Sequence, residues 1–197
     1  MFLVLRLLIV ALLGAGLGLG SVWFVLETSA LDAGTAIGPW RVQTGETGSD
    51  RHPYAAARAS REGRIGLGPA EGVAFEARFD AAGQPFNPAC HYTIEGALPP
   101  ADLWTLAVTD DAGHLPRNPA GRTGFTSRDA IRQPDGGILI TVGRTARPGN
   151  FVPTGSLASL VFTLRIYAPG LSARLPGPEL LPAIRRLSCG PASGVRR

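Results

Sequence analysis

Residues 160–166 read LVFTLRI, an alternation that puts four apolar side chains on one face of an extended chain: Leu160, Phe162, Leu164 and Ile166. A period of two is typical of a β-strand with one buried face, because successive side chains of a strand point to opposite sides. The run ends at Pro169-Gly170, a pair that marks a turn. We therefore predict a strand here that buries one face in a core.

Shorter alternating runs precede this one, and turn sequences rich in Asp and Gly separate them. The runs occupy residues 73–79, 92–94, 104–108 and 138–142, and the turns occupy 80–83, 110–113 and 135–137. Short strands at such spacing are typical of sandwiches and barrels. We predict an all-β fold, an antiparallel β-sandwich of jelly-roll-like type. An Ala-rich stretch at 52–64 predicts one short helix before the sandwich.

The N-terminal segment is apolar, and residues 7–26 contain no charge in twenty positions. A helix of that length spans about 30 Å, the thickness of a bilayer's hydrocarbon core. Arg6 precedes the run, so the positive-inside bias predicts a cytoplasmic N-terminus and an exported remainder. The alternative is a cleaved signal peptide with a cleavage site at Thr28-Ser29-Ala30, although the apolar run is long for one.

These features divide the chain into four predicted parts. Residues 1–27 form a transmembrane anchor, 28–50 a linker, 51–170 the β-sandwich domain, and 171–197 a basic C-terminal tail tied to the domain. The tail is predicted to be solvated.

The charge of the chain is unevenly distributed. All 19 basic residues are Arg, against 15 acidic residues, which gives a net charge of +4. Residues 28–170 hold 13 Arg and 13 acids, whereas 171–197 hold five Arg and one acid, Glu179. The body is therefore neutral, and its aromatic residues do not alternate with basic ones as in single-stranded nucleic-acid binding. A nucleic-acid partner is not expected.

The two cysteines, Cys90 and Cys189, predict one disulfide in an exported domain. Such a bridge would tie the basic tail to the sandwich. Two separate buried thiols are the alternative.

The sequence contains no established catalytic motif, P-loop or metal-ligand spacing, and we expect neither a metal nor a cofactor. Its most unusual local feature is a density of Arg and Asn residues between 117 and 150. Guanidinium groups gathered at one end of a sandwich would bind a carboxylate, a phosphate or an acidic sugar. The candidate binding residues are Asp110, Asn118, Arg122, Arg144 and Asn150.

Each candidate residue also has a structural interpretation. Asp110 begins an Asp-x-x-Gly turn, which its side chain would cap. The arginines of a neutral body would pair with Glu76, Asp110, Asp129 or Asp135. His91, isolated beside a strand, is expected to be a structural residue with satisfied hydrogen bonds.

Several short runs resemble the bacterial family numbered as domain of unknown function 1214. They are CHYTIEG at 90–96, PPADLWTL at 99–106, Asn118-Pro119 with Arg122, Asp135-Gly136, RPGNFVPT at 147–154 and LRIYAP at 164–169. The resemblance implies a jelly-roll β-sandwich. It also implies a companion domain, numbered 1254, which this family carries on the same chain or on a neighbouring protein and which is not expected on this chain. It implies no catalytic residues.

The predicted function is that of a bacterial envelope protein. It would be anchored once in the inner membrane, with its N-terminus in the cytoplasm and its domain in the periplasm. The sandwich would act as a binding or assembly module, with a partner protein that carries the companion domain. The alternative is a hydrolase for an anionic or carbohydrate substrate, with Asp110, Arg122, Arg144 and Asn150 near one end of the sheets.

Overall fold

A computed structural model of the chain describes residues 2–27, 35–43, 67–68 and 70–190. Helix α1 spans Phe2–Glu27, and the window Phe2–Phe24 is long and apolar enough to cross a membrane. No residue of that window is buried against the protein, although a signal sequence would pass the same test. The helix predicted at 52–64 lies outside the described residues.

Within the described residues, ten strands follow α1. They are β1 Ala36–Ile37, β2 Trp40–Val42, β3 Val73–Ala77, β4 Cys90–Gly96, β5 Leu103–Thr109, β6 Gly124–Thr126, β7 Ile138–Gly143, β8 Asn150–Pro153, β9 Val161–Tyr167 and β10 Ala183–Cys189. A 3-10 turn, Pro178–Leu180, precedes β10.

The strands form two sheets, ordered β1-β2-β3-β9-β5-β6 and β10-β4-β7-β8. The predicted all-β class, two sheets after one apolar N-terminal helix, is confirmed. One pairing departs from the antiparallel prediction, since β8 runs parallel to β7, with Ile140 opposite Asn150. Residues 144–149 connect these two strands, which is shorter than the dozen or more residues usual between parallel neighbours. The jelly-roll-like topology stays a prediction.

The core lies between the sheets and follows the period of two. Strand β9 occupies a central position between β3 and β5, where Phe162, Leu164 and Ile166 are fully buried. Tyr92 and Ile94 of β4 join the same hydrophobic cluster from the other sheet. Burying each such side chain contributes about 1.5–3 kcal/mol, so this face alternation is the main stabilising feature.

Two segments expected outside the sandwich contribute strands to it. The predicted linker contains β1 and β2, and Trp40 of β2 is completely buried. The predicted tail contains β10, which pairs along β4 and buries Ile184 completely. The predicted limits of 51 and 170 thus leave out three strands. Part of the basic tail is therefore an edge strand of the sandwich, whose side chains from Arg185 to Cys189 are exposed.

The disulfide is present and joins Cys90 to Cys189, across 99 positions of sequence. These residues face each other in the β4–β10 register, so the bridge connects neighbouring strands of one sheet. Both cysteines are therefore in the bridge, and the alternative of two free thiols is wrong.

Candidate functional site

Asp110 forms the turn that its spacing predicts. Its Oδ1 accepts hydrogen bonds from the backbone N–H groups of Ala112 and His114, and its Oδ2 lies 3.0 Å from Nδ1 of His114. Desolvation raises the pKa of this carboxyl, but the hydrogen bonds and charge of His114 outweigh it, and the net pKa lies below its ordinary value. Both carboxylate oxygens thus have partners inside the turn.

Asn118 closes the loop between β5 and β6. Its Nδ2 donates to the carbonyl of Arg122 at 2.7 Å, and its Oδ1 accepts from the Arg122 N–H at 3.1 Å. A longer contact, 3.4 Å, joins Nδ2 to the carbonyl of Pro153 at the end of β8. An amide that hydrogen-bonds both the N–H and the C=O of one residue fixes the backbone orientation of that residue. Asn118 therefore positions Arg122.

Asn150 is buried at the start of β8, and its side chain is fully used within the fold. Its Oδ1 accepts from the N–H of Ile131 at 2.8 Å, and its Nδ2 donates to the carbonyls of Ile131 and Leu139. With 4 % of its surface exposed, this side chain reaches no external ligand. It holds the loop before β7 against β8.

The charged group of Arg122 is both fixed and accessible. Its guanidinium carbon lies 4.5 Å from the centre of the Phe125 ring, and Nη1 lies 3.6 Å from Oδ2 of Asp129. About two fifths of the Arg122 side chain is exposed (41 %). A guanidinium stacked on an aromatic ring keeps its edges free to donate hydrogen bonds.

Asp129 is itself held in place by strand β6. Its Oδ1 accepts from both the N–H and the hydroxyl of Thr126. Desolvation raises the Asp129 pKa, but these bonds, with the charge of Arg122, hold it below its ordinary value. The carboxylate is therefore ionised at neutral pH, and its Oδ2 faces Arg122.

These residues border an open groove of about 360 Å³ between β5, β6 and the loop 120–123. Thr105, Arg122, Thr126 and Asp129 are among the residues that line it. The strands meet closely here, because a Cβ at Gly124 would lie 2.0 Å from the carbonyl oxygen of Leu106. Hydroxyls, one cation and one anion give the groove a polar character without net charge.

The five sequence candidates do not form one cluster of contacting side chains. Asn118 and Arg122 are in direct contact, and Asn118 also reaches the strand that begins with Asn150. Asp110 bonds within its own turn, and Arg144 is exposed on the loop after β7. Within the described ranges, no three His, Cys, Asp or Glu side chains are grouped so as to hold a metal ion.

Sequence reasoning identified Arg122 and named Asp129 as an ion-pair partner, but it did not identify Phe125. Spacing gave no signal for this contact, because side chains three positions apart on an extended chain point to opposite faces, and Arg122 reaches the ring from the loop before β6. His91 also differs from expectation. Its Nε2 lies 3.1 Å from the carbonyl of Thr145, but its buried Nδ1 has no partner in the part of the chain described.

Comparison with family models gives one match, to the family described as a protein of unknown function, DUF1214, over residues 71–171. The match covers half of the chain and runs from just before β3 to just after β9. The chain belongs to the DUF1214 family. The groove lies within the DUF1214 region, whereas β1, β2, β10 and Cys189 lie outside it.

Two solved structures resemble this DUF1214 protein. A Vibrio parahaemolyticus protein aligns with 71 % of the chain at 21 % identity and a TM-score of 0.55, and an uncharacterised Burkholderia cenocepacia protein aligns with 87 % at 17 % identity and a TM-score of 0.44. The alignments cover 36 % and 40 % of those proteins, so the chain spans less than half the length of either. The first supports the fold. Comparison with curated proteins finds no match.

Proposed function

We propose that this DUF1214 protein is a bacterial envelope protein, anchored once in the inner membrane with its N-terminus in the cytoplasm and its sandwich in the periplasm. The apolar helix α1 supports the anchor, and Arg6 near its start supports the orientation. The Cys90–Cys189 disulfide supports an oxidising compartment, because such bridges persist outside the cytoplasm.

The proposed activity of the sandwich is binding, through the groove beside β5 and β6. The observation that carries this proposal is the Arg122 guanidinium, held by Phe125 on one side and by Asp129 at 3.6 Å while its side chain stays 41 % exposed. A pair at that distance is longer than a direct hydrogen bond, so Arg122 retains donors for a carboxylate. The groove suits a polar protein segment with an acidic side chain.

A binding module accounts for the polar residues better than a hydrolase does. Asp110 would be the acid or base of the hydrolase, yet its oxygens accept hydrogen bonds within its own turn. Asn150 is buried and bonded to three backbone groups. A general acid or base must reach the proton it transfers. The hydrogen-bond partners of both side chains lie outside the groove, so neither side chain is placed to transfer a proton there.

The proposed partner is a protein that carries the companion domain. The Vibrio protein that shares the fold has a longer chain, 64 % of which lies outside the alignment, which is room for a further domain. The partner would not add a strand to β6. The Thr126 N–H donates to the Asp129 side chain, and the Thr126 carbonyl accepts from the N–H groups of Asp129 and Ala130. These groups are therefore not available to pair with another strand.

Site-specific photo-crosslinking in intact bacteria tests this function. A photoreactive residue replaces Thr105 in the groove, and a matched control replaces Leu115, an exposed residue in the loop between β5 and β6. We expect a discrete adduct from position 105 alone, lost when Arg122→Glu is added. Equal adducts from both positions, or an adduct indifferent to Arg122→Glu, would contradict groove binding.

A further inference from the structure

We propose that the side of the sandwich formed by β10 and its flanking residues rests on the anionic headgroups of the membrane that holds α1. We call this side the β10 edge and define it by Phe79, Leu180, Arg185, Arg186 and Leu187. The inference deepens the proposed function and rests on the anchoring by α1. Three observations carry it: the length of the tether, the position of β10, and the chemistry of its side chains.

The tether is short. Helix α1 ends at Glu27 and β1 begins at Ala36, nine positions later. A chain gains at most 3.3–3.6 Å per residue, so the start of β1 lies within about 30 Å of the end of α1 in any conformation. That distance is about the diameter of a small domain. The β1–β2 side of the sandwich therefore stays within about 30 Å of the membrane end of α1.

Strand β10 lies on this tethered side. The indole Nε1 of Trp40, on β2, donates to the carbonyl of Pro182, the residue before β10, at 2.7 Å and in a buried position. Strands β1 and β2 end one sheet and β10 ends the other. The Trp40 hydrogen bond therefore joins the two sheets at the edge nearest the tether.

The β10 edge concentrates the exposed apolar side chains of the sandwich. Outside α1, five large hydrophobic side chains are exposed in the described chain, and three of them belong to this edge: Phe79, Leu180 and Leu187. The loop that begins at Phe79 packs on β10, because the N–H of Ala81 donates to the carbonyl of Ile184 at 2.8 Å. Leucine and phenylalanine beside basic residues are the composition of surfaces that insert shallowly between lipid headgroups.

The charge of the edge fits an anionic surface. Arg185 is exposed and has no ion-pair partner among the residues described, whereas Arg186 lies 3.1 Å from Asp80. Two of the five Arg in residues 171–197 thus lie on the β10 edge. Arginines close to a membrane surface are attracted to anionic lipid headgroups.

A strand-adding protein partner fits the edge less well. The β4–β10 register shifts between Arg186 and Ser188, so Leu187 is an extra residue in a bulge. A bulge interrupts the regular row of hydrogen-bonding groups that a second strand would need. The bulge also leaves Leu187 half exposed, which a lipid surface accommodates.

The test uses the full chain in lipid nanodiscs made of phosphatidylcholine alone or mixed with phosphatidylglycerol. An environment-sensitive fluorophore is attached at Leu180→Cys on the β10 edge, or at Ile131→Cys in the β6–β7 loop on the opposite side, with spin-labelled lipids as quenchers. We expect quenching at position 180 that requires phosphatidylglycerol, and none at position 131. Arg185→Ala lowers the docked-to-free ratio about fivefold, and Arg128→Ala, the same charge change after β6, leaves it unchanged.

Three outcomes overturn the inference. Equal quenching at both positions means that no side is preferred, and quenching without phosphatidylglycerol removes the electrostatic basis. A position-180 label that is shielded in native membranes but not quenched by spin-labelled lipid shows that a protein covers the edge. Failure of the chain to remain in the nanodisc contradicts the anchoring instead, and is read separately from the quenching.

Discussion

At the residue scale, polar side chains that the sequence offers as ligand-binding candidates instead form hydrogen bonds that hold the backbone together. Asn150 supplies three hydrogen bonds to backbone groups of Ile131 and Leu139 from a buried position. We expect Asn150→Ala to lower the free energy of unfolding by about 2–3 kcal/mol, because it leaves buried backbone groups without partners. Urea unfolding measures it. Asn118→Ala, at a partly exposed position, serves as the comparison and should cost less; equal costs would contradict the assignment.

Gly143 is required by the His91 ring. A Cβ at Gly143 would lie 2.1 Å from Cδ2 of His91, so a methyl group there displaces the imidazole. We expect Gly143→Ala to destabilise the protein by about 1–3 kcal/mol, as overpacking does. In a His91→Ala background the same substitution should cost much less. A double-mutant cycle on thermal unfolding measures the coupling, and additive effects would show that the ring is not the obstacle.

The Asp110 turn predicts an acid-dependent loss of stability. Hydrogen bonds from His114 and Ala112 hold the Asp110 pKa below its ordinary 3.8 despite desolvation. The folded state therefore binds this proton less readily than the unfolded state, so the stabilisation is present above about pH 4 and is lost as pH falls through the folded pKa. Asp110→Asn keeps an acceptor for the turn without the charge. We expect it to be less stable than the native protein at pH 7, by a margin that shrinks as the pH falls below 4 in urea unfolding; a constant difference would contradict the linkage.

The candidate site was only partly predictable from residue types. An Asp-x-x-Gly spacing specifies its turn locally, and the structure has that turn at Asp110. The burial of Asn150 depends instead on where β8 lies against the loop at Ile131, nineteen positions away. The spacing of polar residues in the sequence does not predict a contact that depends on such nonlocal packing. Arg122 was identified because it lies in a dense polar segment, but its contact with Phe125 needed the backbone path.

At the element scale, the strands that carry an alternating run were predictable, including β4 with its short run at 92–94, and the others were not. The periodic runs at 73–79, 104–108, 138–142 and 160–166 match β3, β5, β7 and β9, because a period of two is a local property. Strands β1, β2 and β6 have two or three residues, too few to show a period. In β10 the pair Arg185-Arg186 and the bulge at Leu187 interrupt the alternation, which made a paired strand look like a tail.

The disulfide makes β10 part of the sheet rather than a frayed end. Cys189 is the last residue of β10 and bonds to Cys90, the first residue of β4. We expect Cys90→Ser with Cys189→Ser to lower stability by about 2–4 kcal/mol, since the bridge restricts a loop of 99 positions in the unfolded chain. Hydrogen exchange should rise first in Arg185–Cys189. Unchanged exchange in β10 would mean that pairing with β4 alone holds the strand.

At the scale of the whole molecule, each sheet edge is protected against strand addition. Strand β1 has two residues, Asp129 caps β6, Pro153 ends β8, and a bulge interrupts β10. Such features keep antiparallel sandwiches from pairing edge to edge. Contacts with a partner or a membrane would therefore use side chains, which is consistent with a polar groove on one side and an Arg- and Leu-bearing edge on the other.

The fate of α1 determines whether any membrane-side contact exists. A retained anchor leaves residues 1–27 on the mature protein, whereas signal cleavage after Ala30 removes them. We expect the intact mass of the protein purified from bacterial membranes to include these residues, and the chain to stay in the membrane pellet after alkaline carbonate washing. The physical reason is the twenty-residue uncharged run, whose transfer out of lipid is strongly unfavourable.

Leu12→Arg combined with Leu13→Arg, at the centre of the helix, should release the chain from the pellet, because each charge costs about 2.5–3.5 kcal/mol at the bilayer centre. The matched change Leu115→Arg, in an exposed loop of the sandwich, should leave it in the pellet. A soluble product that begins at Leu31 would identify α1 as a cleaved signal, and the sandwich would then reach its partner by diffusion.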